Sequence, residues 1–74
     1  MIYRVDIRQE FGTYRVFLTE DDGRGVATIA TAKSATNPRG AQIRAWLAGK
    51  GFEAYGASRV VGGSTLRTMV RKIA

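Results

Sequence analysis

The chain has no cysteine and no histidine. The first absence removes disulfides and thiolate metal sites, and fits a reducing cytosol. Without imidazole a zinc site would rest on carboxylates alone, and acid–base chemistry at neutral pH loses its usual group. The six carboxylates do not replace it. Glu10, Glu20, Asp21 and Asp22 fall in expected turns, Asp6 is flanked by arginines, and Glu53 stands beside an expected helix end. Ser34, Ser58 and Ser64 have no histidine to activate them. No catalytic residue, metal or cofactor is expected, and the chain is not read as an enzyme.

Long apolar runs are also missing. The longest weakly polar stretch, 25 to 32, is short and rich in threonine, too short for a bilayer. Met1-Ile2-Tyr3 leads straight into charged residues, with no signal-like segment. A cytoplasmic protein without membrane contact is the expectation. At 74 residues the chain is read as one small basic α+β domain, 1–74, near the size at which a single core can hold a fold unaided. Large apolar side chains are few, and a homodimer would suit such a core.

Acid is scarce in a telling place. The first 23 residues carry three bases and five acids, a net of −2; after residue 23 there are nine bases against Glu53 alone, a net of +8. So positive a field draws polyanions and raises their association rates. Nucleic acid, DNA or RNA, is therefore the first partner to consider.

What is present reads as β-β-β-α-β-α: a three- to four-stranded antiparallel sheet with two helices packed on one face. Tyr3, Val5 and Ile7 alternate with charged residues, and Tyr14, Val16 and Leu18 alternate with Arg15, Phe17 and Thr19. This is the period of half-buried strands. For both apolar sets to share one face, the connection must hold an even number of residues. Two registers satisfy this. A Glu10-Phe11 turn sets Asp6 opposite Arg15. A Phe11-Gly12 turn puts glycine where a positive φ is needed, but sets Arg8 opposite Arg15. Two opposed arginines repel unless an anion lies between them.

Asp21-Asp22-Gly23 signals a turn, and 25 to 31 a third strand. Asn37-Pro38 is expected to open a helix, with asparagine as N-cap. Ile43, Trp46 and Leu47 would form its buried stripe and Gly51 would end it. A fourth strand follows over 52 to 61, interrupted near Gly56. Leu66, Met69, Val70 and Ile73 then follow an i, i+3, i+4, i+7 spacing, which predicts a final helix capped by Ser64 or Thr65.

Gly62-Gly63-Ser64-Thr65 would stand at the N-terminus of that helix, a candidate anion-binding loop, although it lacks the Gly-Lys-Ser/Thr ending of a Walker A loop. The run 63 to 73 is similar to the closing helix of HicA-type toxins. That resemblance implies a double-stranded-RNA-binding-like fold, but the strand histidine those toxins need for RNA cleavage has no counterpart here, so no ribonuclease activity follows. A three-stranded sheet backed by one helix also resembles, in architecture alone, the arm-binding domains of tyrosine recombinases.

The leading expectation is a small nucleic-acid-binding protein. Arg39, Arg44, Arg59, Arg67, Arg71 and Lys72 are its phosphate contacts, and Arg4, Arg8 and Arg15 reach a groove or a base from the outward face of the hairpin, beside Phe17. About six phosphate contacts would give a log–log salt slope near −5 on duplex DNA. The alternative is a protein-binding module, such as an inhibitor of a larger nucleic-acid enzyme of the phage host-takeover or anti-CRISPR kind. Its acidic Glu20-Asp21-Asp22 tip and an open sheet edge would serve it. A continuous basic face favours the first, scattered bases the second.

Overall fold

A computed structural model describes residues 1–73. Five strands and one helix follow in the order β1 (Ile2–Glu10), β2 (Thr13–Asp21), β3 (Val26–Ser34), α1 (Gly40–Gly49), β4 (Phe52–Val61) and β5 (Thr65–Lys72). The strands form one antiparallel sheet in the order β3-β2-β1-β5-β4. The expected three- to four-stranded sheet with two helices is therefore corrected to five strands and a single helix.

The element that differs is the C-terminal one. Residues 65 to 72 form β5, paired on one side with β1 and on the other with β4. Leu66, Thr68 and Val70 face the helix while Arg67, Met69 and Arg71 face away, so the segment also carries a period of two. The helical spacing of Leu66, Met69 and Val70 is genuine, but a lone C-terminal helix would leave the edge of β1 unpaired. Strand pairing fills that edge on both sides of β5, and tertiary context overrides local periodicity. The likeness to a toxin's closing helix lapses with the helix.

In the first hairpin the register follows the Phe11-Gly12 turn, with Glu10 opposite Thr13 and Arg8 opposite Arg15. Both turn residues have positive φ, 50° at Phe11 and 76° at Gly12, as a two-residue hairpin requires. The rival turn would place Glu10 and Phe11 there, two side-chain-bearing residues at about 1–2 kcal/mol each. A cross-strand charge pair is worth only about 0.2–1 kcal/mol. Backbone strain therefore decides the register, and the arginines are left opposed.

The helix covers one face of the sheet. Ile43 and Leu47 are buried against Val5, Val16, Leu18, Phe52 and Val70, with Tyr3, Ile7, Trp46 and Ala54 packed around them. The expected stripe of Ile43, Trp46 and Leu47 is in place, although Trp46 is only half-buried. Its N-terminus lies two residues later than expected. Arg39 is the N-cap residue, not Asn37, and its backbone N–H donates to Gln42 Oε1 at 2.8 Å. At the other end Gly51 has φ 84° and its N–H donates to Ala48 O at 3.1 Å.

Two irregularities shape the outer strands. Leu18 pairs with Ala30 but Thr19 with Thr28, so Ile29 is an extra residue in β3. In β4 the register shifts between Tyr55 and Arg59, where Gly56 has φ 72°, the interruption expected near that residue. Among the described residues no helix is long and apolar enough to cross a membrane.

Leu47 is fully buried and is the helix's main anchor. Leu47→Ala should cost about 3 kcal/mol by the usual transfer and cavity terms. A shift of the urea midpoint corresponding to less than about 1 kcal/mol would show that the helix is not tied to the sheet as described.

Candidate nucleic-acid interface

Among the described residues no helix lies on one broad face of the sheet. The strand registers place the side chains of that face in rows running across the strands. Lys33, Arg15, Arg8 and Thr65 occupy successive strands in one row; Thr31, Phe17, Asp6, Arg67 and Arg59 occupy the next. A third row holds Thr19, Arg4, Met69 and Tyr55. Neighbouring strands lie about 4.8 Å apart, so the row from Lys33 to Arg8 sets the backbones of three basic residues within about 10 Å.

Local sequence explains each placement. Alternation puts Arg4 and Arg8 on the outward side of β1, Arg15 and Phe17 on that of β2, and Arg67 and Arg71 on that of β5. The guanidinium of Arg8 lies 4.9 Å from the Phe17 ring centroid and that of Arg15 lies 5.2 Å from it. Phe17 is thus a half-buried platform beneath two arginines and does not pack under a helix. A cation over an aromatic face gains about 0.5–1 kcal/mol at exposed sites, which is comparable to the repulsion between the pair.

Carboxylates neutralise part of this face. Asp6, 4% exposed, accepts two bonds from Arg67, from Nε at 2.9 Å and from an Nη at 3.0 Å. These bonds hold the Arg67 guanidinium above its ordinary pKa, against the smaller opposing effect of burial. The raised value means that this contribution to stability is complete below the ordinary arginine pKa and is lost only as pH rises through the higher one. No pH dependence near neutrality arises from it. Arg4 pairs with Asp21 at 3.3 Å, Arg71 with Glu53 at 2.6 Å, and Arg15 more loosely with Glu10 at 3.6 Å. Among the described residues, Arg8, Lys33 and Arg59 have no acidic partner within ion-pair distance.

The nine basic residues singled out from sequence therefore divide. Arg4, Arg8, Arg15, Arg59, Arg67 and Arg71 share the open face. Arg39 and Arg44 belong to the helix at its N-terminal end, and Lys72 belongs to the helix-facing set of β5. The six expected phosphate contacts do not form one continuous surface, and two of them, Arg67 and Arg71, are engaged by carboxylates. The candidate loop Gly62-Gly63-Ser64-Thr65 has no helix behind it. Gly62 and Gly63, with φ 60° and 83°, turn β4 into β5, and Thr65 already lies in the strand, so no helix dipole favours an anion there.

Three residues outside that set belong to the face or its margin. Lys33 stands opposite Arg15, Tyr55 is 43% exposed with the Arg71 guanidinium 5.5 Å from its ring centroid, and Phe11 projects from the hairpin tip. Lys33 could have been found by extending the alternation of β3 two residues. Phe11, Thr13, Glu10, Arg15 and Lys33 line a depression of about 280 Å³ at that tip. Among the described residues no cluster of carboxylates could hold a metal ion. The chain matches no protein family model, no curated protein and no solved structure.

Asp6→Asn would leave Arg67 with half its pairing and no countercharge. The variant should lose about 2–3 kcal/mol of stability, as expected when one partner of a nearly buried pair is removed. Denaturation at pH 7 measures this, and a loss below about 0.5 kcal/mol would show the pair to be solvated.

Proposed function

We propose that this protein binds nucleic acid through the open face of its sheet, with Arg8, Arg15, Lys33 and Arg59 as the phosphate contacts. The supporting observation is the row Lys33–Arg15–Arg8, in which like charges stand directly opposite on three neighbouring strands. Such pairs destabilise the free sheet, and a phosphate between them relieves the repulsion while gaining charge-assisted hydrogen bonds. Bases kept only for solubility need no such crowding. Arg4, Arg67 and Arg71 shape the face but are hydrogen-bonded to carboxylates, so they add less to binding than Arg15, whose contact with Glu10 is looser at 3.6 Å.

Four contacts in place of six lower the expected salt dependence to a log–log slope of about −3.5 on duplex DNA. Arg8→Gln removes one contact and one half of the repulsive pair. Affinity for all sequences should fall several-fold, the slope should drop by about 1, and the stability of the free protein should change by less than about 0.5 kcal/mol, because relief of the repulsion and loss of the Phe17 contact nearly cancel. Anisotropy titrations across salt and a denaturation curve give all three values. Unchanged affinity would remove the open face from the proposal.

A protein-binding role has its own observation. β3 is an edge strand with no charged residue from Val26 to Ala32, and Val26 and Ile29 are exposed. Such an edge accepts another strand readily. Thr28→Pro should abolish that pairing while leaving nucleic-acid affinity intact; loss of a captured protein partner with that variant would favour this second role.

A further inference from the structure

Phe11 is 104% exposed, the most exposed large apolar side chain of the protein, and it also occupies a left-handed backbone conformation with φ 50°. Neither property helps the fold. Its ring touches no core, and the first position of a tight hairpin turn is best filled by asparagine, aspartate or glycine. A residue that breaks a local rule twice without structural gain points to a role outside the fold. Its surroundings indicate which role. Phe11 borders the depression that Glu10, Thr13, Arg15 and Lys33 also line, so it stands at the hairpin tip, beyond the three-cation row along the strands. On the far side of the open face Tyr55 supplies a second exposed ring, one row from Arg59.

From this juxtaposition we infer that the nucleic acid bound by the open face is single-stranded, with an unpaired base stacked on Phe11 and the adjoining phosphates on Arg15, Arg8 and Lys33. The inference rests on the nucleic-acid proposal above and narrows it. Bases in a duplex are already stacked, and opening a step for one ring costs a few kcal/mol. A single strand offers free base faces, and stacking there tolerates any sequence. The breadth of the face agrees. Five strands span about 19 Å between the outermost backbones, whereas the major groove of B-DNA is about 12 Å wide. A membrane surface is less favoured, because Phe11 is flanked by Glu10, Gly12 and Thr13 and presents no wide apolar area.

The test compares labelled oligo(U), oligo(dT) and a blunt duplex, each of about eight nucleotides, against the natural chain, Phe11→Asn and Arg8→Gln. Phe11→Asn creates an asparagine–glycine turn and should fold at least as well as the natural chain, which a thermal melt checks. The expected result is tighter binding of single strands than of duplex, and a loss of about ten-fold on single strands alone for Phe11→Asn. Preference for oligo(U) or oligo(dT) would identify the source as RNA or DNA, and either supports the inference. Equal or tighter duplex binding, or unchanged single-strand affinity in Phe11→Asn while Arg8→Gln weakens it, would overturn the inference and leave the broader proposal standing. No binding to any oligonucleotide would overturn both, as would binding only to vesicles containing phosphatidylserine.

Discussion

The pairing of β5 with β1 joins residues about sixty positions apart, from Arg8 with Thr65 to Tyr3 with Val70, and the rest of the molecule depends on it. Without it the chain is a β1–β2–β3 meander and a separate β4–β5 hairpin, with no common surface for the helix to cover. The backbone ladder is reinforced at one point by the bidentate bond from Arg67 to nearly buried Asp6. Loop closure over such a distance has an entropic cost that grows only slowly with length, so a well-paired central strand can offset it. Once β5 is seated, Val70 joins Val5 and Leu18 beneath Leu47, and the core is continuous.

The same pairing makes the candidate interface. Because one helix covers only one face, the opposite face of all five strands is left open, and alternation assigns it most of the arginines. Two opposing tendencies meet there. Carboxylates on β1, β2 and β4 neutralise Arg67, Arg4 and Arg71, while the hairpin turn forces Arg8 against Arg15, which Glu10 holds only loosely. The remaining excess of positive charge gathers toward the end of the sheet that carries Phe11. The acidic Asp21-Asp22 turn lies at the other end, where Asp22 Oδ1 accepts from the backbone of Arg24 and Gly25. The molecule is polarised along its strands.

Much of this was legible in the chain, and where it was not, the reason is physical. The first two strands, the interruption at Gly56 and the helix end at Gly51 each follow from period, glycine position or both. The start of the helix is not legible because Asn37-Pro38 is a strong capping signal, yet the Gln42 side chain holds the N–H of Arg39 instead. The last element is ambiguous because Leu66, Met69 and Val70 satisfy a helical period while Leu66, Thr68 and Val70 satisfy a strand period. An eight-residue window cannot separate the two.

The sequence alone determined the absence of thiol and imidazole chemistry, the charge imbalance along the chain and the set of residues facing outward on the first hairpin. Those depend on composition and on alternation, which act within a few residues. Only the tertiary structure decided that the C-terminal segment is a strand, that Arg67 belongs to Asp6, and that Arg8, Arg15 and Lys33 stand in one row below the turn that carries Phe11. Each of those depends on which strand lies beside which, and strand pairing is fixed by contacts between distant parts of the chain rather than by any local preference.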